Sequence, residues 1–459
     1  MNIIIKNGYI INSYESYFSN IEIKDEKINK ISKEMNFDID EDTKIIDAKG
    51  MYVIPGGVDP HTHFDLDASN TKSSDDFQTG SKAAIYGGTT TIIDFATQFR
   101  GNSLKQALNY WNEKSYNKTF CDYSFHMALS EFNDDIENDL EYIKEKGISS
   151  LKMYTAYKGG MQTDDFEIFR ALKKAKELDM LIAFHCENGE IIDFLTKEEL
   201  KKGNTSYKYH HKVRPKEVEI EAVSRIINMA KILDTKVYIV HISCKEVIDL
   251  IEDAKQDGVK IFSETCPQYL FLDESLYNLD NFLGAKYVIS PPLREKIQQK
   301  YLWDSIKKEK IDVIASDHCP FNLKGQKDIG KSDFSKIPNG AAGVEHRINL
   351  IYTKGVLKNY ISLNKWVDLI STMPSKIYNL YPKKGHIAVG ADADIVLFNP
   401  DKKWTITKDN HHQNVDYSIY EGFDQIGKAK DVFIRGNHVL KDYEFNIKKP
   451  IGQFIKRNN

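Results

Sequence analysis

Hydrophobic and polar positions change rhythm twice along the chain. Over the first fifty residues they alternate, with strand-like stretches at 3–6, 9–12, 20–24, 27–31 and 43–47. Asn7-Gly8 and Asp25-Glu26 stand between stretches as turn residues, so the pattern predicts a small antiparallel β unit. From Val53 the alternation gives way to nearly continuous apolar runs, each closing on a polar residue: 53–63, 91–96, 122–128, 151–157, 181–187, 237–243, 259–265 and 312–318. Such runs suit parallel strands buried on both faces. Helical periodicity lies between them, as at 166–178, where Phe166, Phe169, Leu172 and Ala175 fall in step, and at 218–233. Eight strands alternating with helices is the count of an α/β fold of the (β/α)8, TIM-like barrel type, whose chemistry sits at the strand C-termini. An open doubly wound sheet is the competing arrangement, but no glycine-rich dinucleotide fingerprint follows the first strand. After about residue 385 the alternation returns at 386–389, 393–398, 403–406 and 431–435, with Gly436-Asn437 as a turn. The chain thus divides at 1–53, 54–385 and 386–459: a barrel flanked by β segments that can combine into one β-sandwich. Residues 448–459 are basic and lack a core pattern, which predicts a tail either disordered or held by another subunit.

Charge and composition narrow the function classes. The 459 residues carry 63 Lys and Arg against 67 Asp and Glu, a formal charge of −4, which lacks the basic signature of a nucleic-acid binder. No apolar stretch approaches the ~18 residues of a membrane span, and Ile3-Ile4-Ile5 is cut off by Lys6 before it can form a signal-peptide core. Five cysteines, with no paired short spacing, make no disulfide framework. The expectation is a reduced, soluble, cytoplasmic protein that binds neither nucleic acid nor membrane.

Five of the eight predicted strands end in residues that can serve a metal. The first carries His61-Thr62-His63, and positions i and i+2 of a strand share a face, so both imidazoles point into one cavity. The fourth carries Lys152, the fifth His185, the sixth His241 and the eighth Asp317. A lone histidine at a strand end is more often structural; the joint pattern at the ends of several barrel strands is what points to a metal centre. Four histidines and an aspartate exceed what one tetrahedral Zn2+ needs, so two metals are expected, and two cations ~3.5–4 Å apart require an anionic bridge. Lys152 reads either as a snorkelling or ion-paired barrel lysine, or as a lysine held neutral that adds CO2 to become a bridging carbamate.

Several longer motifs carry a resemblance. Pro55-Gly56-Gly57 before the His61-Thr62-His63 pair, Ser150-Leu151-Lys152-Met153-Tyr154-Thr155-Ala156-Tyr157-Lys158, and His185-Cys186-Glu187-Asn188-Gly189 are three of them. Glu264-Thr265-Cys266-Pro267-Gln268-Tyr269-Leu270, Ser290-Pro291-Pro292-Leu293-Arg294, Ser316-Asp317-His318-Cys319-Pro320-Phe321 and Ile337-Pro338-Asn339-Gly340 follow in order. Together they resemble the dihydropyrimidinase/hydantoinase family of cyclic amidohydrolases over nearly the whole chain. The resemblance implies a (β/α)8 barrel with a β-sandwich built from both chain ends. It implies two Zn2+ ions bridged by a carboxylated Lys152 and a hydroxide, with His61, His63, Lys152 and Asp317 at one ion and Lys152, His185 and His241 at the other. It places substrate contacts at Tyr157 and at the main chain of Ser290 and Asn339, whose plain readings are a core tyrosine, a turn before Pro291 and an Asn-Gly loop. Asp317 would shuttle the proton to the leaving nitrogen and Tyr157 would steady the oxyanion. The implied substrate is a small cyclic amide or imide, opened to an N-carbamoyl product, and relatives imply a homo-oligomer, tetramer or dimer, in which the tail around Gln453-Phe454-Ile455 would join subunits.

Neighbouring functions and decoys are weighed against this. Dihydroorotases place an arginine soon after the H-x-H pair to bind a carboxylate; here Phe64-Asp65-Leu66 follows, which disfavours that substrate, and allantoinase remains a rival. A non-catalytic scaffold relative would lack the intact ligand set. The loop Asp65-Leu66-Asp67-Ala68-Ser69-Asn70-Thr71 departs from many relatives; Ala68 is expected to widen the substituent pocket beside Tyr154 and Met161, and Asp67 and Asn70 to make it polar. Gly325 to Ser332 fits G-x-x-x-x-G-K-[ST] but lacks the strand-loop-helix context of a phosphate loop. Cys186, Cys244, Cys266 and Cys319 read as packing thiols, and His210-His211-Lys212-Val213-Arg214 as a solvated surface stretch.

Overall fold

The apolar run at 53–63 feeds two sheets. In the computed structural model, which describes residues 2–68 and 71–457, its first half is the strand Tyr52–Pro55 of one sheet and its second half the strand Gly57–Thr62 of another. At the crossing, a Cβ on Gly56 would stand 2.0 Å from Thr90 Oγ1, so only glycine lets the chain pass.

The second sheet has eight parallel strands among the described residues, in chain order: Gly57–Thr62, Thr89–Thr97, Asp122–Ala128, Ser150–Tyr154, Leu181–His185, Val237–Ile239, Ile261–Thr265 and Val313–Ile314. The segment after the eighth strand returns to the first, where Thr62 bridges His318 and His63 N–H donates to His318 O at 2.8 Å. This is the closed (β/α)8 arrangement that the run count predicts. The strands are buried almost throughout, as two-faced burial requires. The helix at 166–178 runs Asp165–Glu177 and is capped by Asp164, which accepts from Glu167 N–H. Its inner stripe is Ile168, Ala171, Leu172 and Ala175; Phe166, expected on that face, is exposed because the stripe starts two residues later.

The chain ends meet in a nine-stranded sheet. Ile3–Ile11, Ser16–Lys24, Lys27–Ser32, Lys44–Asp47 and Tyr52–Pro55 come from one end, and Ile395–Thr405, Asp424–Ile434, Asn437–Lys441 and Glu444–Phe445 from the other. Leu397 pairs with Val53, and Ile3, Ile21, Val53, Ile395 and Phe433 share one core. The sheet is mixed, since Lys44–Asp47 and Tyr52–Pro55 run parallel to Ile3–Ile11. Asn7, expected in a turn, adopts a left-handed φ of 60° and makes a bulge inside one continuous strand. The stretch at 386–389 is not a strand, and the hairpin turn falls on Arg435-Gly436, one residue earlier than expected.

The C-terminal tail has a partner in its own chain. Tyr123 N–H donates to Gln453 O at 3.0 Å, Ile455 N–H donates to Tyr123 O at 2.7 Å, and Ile455 packs with Val58, Tyr238 and Val313 inside the barrel. Arg457 is fully buried, donating to Ser124 Oγ and Ser150 Oγ at 2.8 Å each and to the Phe125 carbonyl. Sequence pattern misses this because two apolar residues and one arginine make no periodic stripe. No helix is long and apolar enough to cross a membrane among the described residues.

Candidate metal centre and substrate pocket

His61 lies near the end of the first barrel strand and His63 just beyond it. Asp317 follows the eighth strand with a left-handed φ of 51°, which turns its carboxylate back toward the first. Its Oδ1 stands 3.0 Å from His61 Nε2 and 3.5 Å from His63 Nε2, and the three residues' donor atoms lie within 4.8 Å of one another. A second pair forms beside them. His185 closes the fifth strand, and its Nδ1 faces His241 Nε2 at 2.9 Å. The His61 and His241 rings are 5.5 Å apart, so the two groups share one chamber. Lys152 reaches the same space from the fourth strand; its buried Nζ has no hydrogen-bond partner among the described residues and lies 5.1 Å and 5.4 Å from the Phe95 and Tyr154 ring centres.

Carboxylates hold the far side of two of these rings. His61 Nδ1 meets Glu264 Oε1 at 2.7 Å, and Glu264 also accepts from Tyr238 Oη at 2.8 Å and from His241 N–H at 3.1 Å. His185 Nε2 meets Glu187 Oε2 at 2.9 Å, and Arg214 Nη1 pairs with the same oxygen at 2.6 Å. A ligating histidine that donates its other N–H to a carboxylate has its tautomer and ring plane fixed. His61 Nε2 and His185 Nδ1 are thereby left facing the chamber.

Burial sets the protonation states. It lowers His63 to about 4 and holds His185 and His241 below the ordinary histidine value, so these rings are neutral, the form that binds a metal. Burial pushes His61 the same way, but the Glu264 and Asp317 carboxylates outweigh it and hold His61 at about 9. Asp317 is also buried, yet the His61 charge and the hydrogen bonds from His61 and His63 hold it well below the carboxylate range. Burial brings Lys152 down to about 8, against the pull of Glu264 and Asp317.

The other expected contacts line one wall. Tyr157, with a left-handed φ of 69°, sets its ring 4.9 Å from that of His185. Burial raises the Tyr157 hydroxyl above its ordinary range, so it stays a donor. Asn339 Nδ2 donates to Ser290 Oγ at 2.9 Å. Tyr154, Phe95 and Ala128 form an apolar patch with Tyr157 and Met161.

Known proteins match this chain over nearly its whole length. Residues 52–439 match the Amidohydrolase family. A D-hydantoinase of Geobacillus stearothermophilus is 44% identical over 99% of this chain and 96% of its own. A dihydropyrimidinase of Dictyostelium discoideum is 37% identical over 99% and 90% respectively. The crystal structure of dihydropyrimidinase from Brevibacillus agri NCHU1002 superposes with a TM-score of 0.97 at 43% identity, covering 100% of this chain and 99% of that one. The chain belongs to the amidohydrolase family. Within it, this hydrolase falls in the hydantoinase and dihydropyrimidinase group.

More residues of the amidohydrolase meet around this chamber than sequence alone brings out. Glu264 and Glu187 appear in the motifs only as neighbours, yet each orients a chamber histidine; the available signal was their place at the C-terminal ends of the apolar runs 259–265 and 181–187. Arg214 and His210 are buried rather than solvated: Arg214 pairs with Glu187, and His210 Nε2 meets Ile289 O at 2.8 Å. His318, next to Asp317, is fully engaged by Asp75 and by the Gly343 and Val344 N–H groups. Asp67 does not make the pocket polar, because Lys114 Nζ at 2.7 Å and Tyr110 Oη at 2.9 Å take up its carboxylate; Asn70 lies outside the described residues. The thiols of Cys186, Cys244, Cys266 and Cys319 are pushed up by burial, as packing cysteines are. The donor set fits divalent metal: imidazole nitrogens and a carboxylate converge, and the Lys152 nitrogen, without a hydrogen-bond partner among the described residues, lies over the Phe95 and Tyr154 rings that contact His63 and His185.

Proposed function

We propose that this amidohydrolase opens the ring of 5,6-dihydropyrimidines and 5-substituted hydantoins, giving N-carbamoyl amino acids, at a centre of two Zn2+ ions. The observation that carries the reading is the convergence of His61, His63 and Asp317 with the facing His185–His241 pair beside a buried Lys152 that has no hydrogen-bond partner among the described residues. His61, His63, Lys152 and Asp317 would hold one ion, and Lys152, His185 and His241 the other. Lys152 is poised for modification, since only the neutral amine adds CO2, releasing a proton as the carbamate forms, and burial has brought it to about 8. Metal held by these residues would supply Lewis acidity, making a water acidic enough to attack near neutral pH.

The chain's own groups do the rest. The Tyr157 hydroxyl, kept protonated by burial, donates to the oxygen on which charge develops. Asp317, kept ionised by the histidines, accepts the proton of the attacking water and passes it to the ring nitrogen, which leaves poorly unless protonated. The main chain at Ser290 and Asn339 grips the ring amide, and the Tyr154, Tyr157 and Met161 surface takes the exocyclic substituent. A ring-opening assay over dihydrouracil, dihydrothymine, substituted hydantoins, dihydroorotate and allantoin tests this; activity confined to the last two would overturn it. A cytoplasmic homo-oligomer, dimer or tetramer, rests on the family resemblance alone, because the tail packs within its own chain; a single-chain mass by light scattering would exclude it.

A further inference from the structure

The glycine-flanked stretch Gly325 to Ser332 does not form a phosphate loop. It follows a loop and forms only the short 3-10 turn Lys327–Gly330. Its first lysine, rather than the lysine of the motif, is the unusual one. Lys327 is fully buried, and its Nζ donates to Val288 O at 2.9 Å and to Pro338 O at 3.0 Å. No carboxylate pairs with it among the described residues, and burial brings its ammonium down to about 7. A buried cation held only by carbonyls costs stability, so packing alone does not account for it.

The two carbonyls belong to the segments that carry Ser290 and Asn339. Segment 288–290 is fixed further by Gly340 N–H on Val288 O at 3.0 Å and by His210 on Ile289 O. Segment 338–340 presses on the loop after Asp317, where a Cβ on Gly340 would stand 2.2 Å from Cys319 O. Lys327 thus joins the two strips of main chain through one fully buried ammonium, alongside the direct bonds from Gly340 N–H to Val288 O and from Asn339 Nδ2 to Ser290 Oγ. We propose that Lys327 is a positioning residue that sets the separation of the main-chain segments at 288–290 and 338–340, and through it the size of ring this amidohydrolase prefers. The inference rests on the proposed function, in which these segments grip the ring amide. A grip made equally in the ground and transition states shows in KM more than in kcat.

The test compares metal-loaded wild type with Lys327→Met and Lys327→Gln on unsubstituted hydantoin, a five-membered ring, and dihydrouracil, a six-membered one. Lys327→Met should raise KM for hydantoin about tenfold and for dihydrouracil distinctly less, with kcat within about threefold and metal content unchanged. Lys327→Gln, which keeps one donor, should fall between, and it carries the test if the Met variant does not fold. An unchanged ratio of the two KM values, or a fall in kcat with metal loss, overturns the Lys327 inference alone. A wild type that opens neither ring overturns the proposed function and the inference with it.

Discussion

Replacing Glu264 with glutamine separates the orientation of the metal centre from its chemistry. The carboxylate accepts from His61 Nδ1, Tyr238 Oη and the main-chain N–H of His241, so it holds one ring of the chamber and the backbone of another ligand. Glutamine keeps the shape and one acceptor oxygen but removes the negative charge that makes His61 basic. Loss of such a partner costs about 10- to 100-fold in metal affinity, or ~1.4–2.7 kcal/mol. Protons compete with metal for His61 below about 9, and losing Glu264 weakens that competition too. The affinity loss should therefore appear in full at pH 9 and shrink toward pH 7. Competition with a chromophoric chelator, run at both values, measures it, and saturating metal should restore most of the activity. Equal affinities for wild type and Glu264→Gln at pH 9 would refute the claim that Glu264 orients a metal ligand.

Three further outcomes follow from the same geometry. Asp317→Asn keeps an oxygen beside His61 and His63 but removes the base, so kcat should fall at least about a hundredfold while metal content measured by elemental analysis holds. Lys152→Ala should lose metal and activity together, and short carboxylic acids with bicarbonate should restore part of both; a fully active, metal-replete Lys152→Met would contradict the carbamate. In the metal-free protein His61 is raised from 6.5 to about 9, so the stability its charge brings is complete below pH 6.5 and lost by about pH 9. Melting curves of stripped protein should accordingly drop across that window, and reloaded protein should not follow.

The barrel and its chamber are legible in the sequence for a physical reason. Strands buried on both faces must be continuous apolar runs, and a barrel gathers their polar ends, so His61, His185 and Asp317 stand out where the runs stop. The supporting groups are not legible, because Arg214 and His210 lie in a polar connection whose burial depends on Glu187 and Ile289, contributed from elsewhere in the chain. Asn7 in a strand bulge and Arg457 beneath the barrel are equally non-local: each is decided by what packs on it. Asp67 shows the converse error, since a charge beside the pocket in sequence is spent on Lys114 and Tyr110 in space.

The most direct test is a metal titration of stripped protein, with bicarbonate present, following ring opening of dihydrouracil and a 5-substituted hydantoin. The account predicts no turnover without metal, a rise that levels at two equivalents of Zn2+ per chain, and an N-carbamoyl product. Full activity in stripped protein, or none on any cyclic amide after two equivalents are bound, would contradict it.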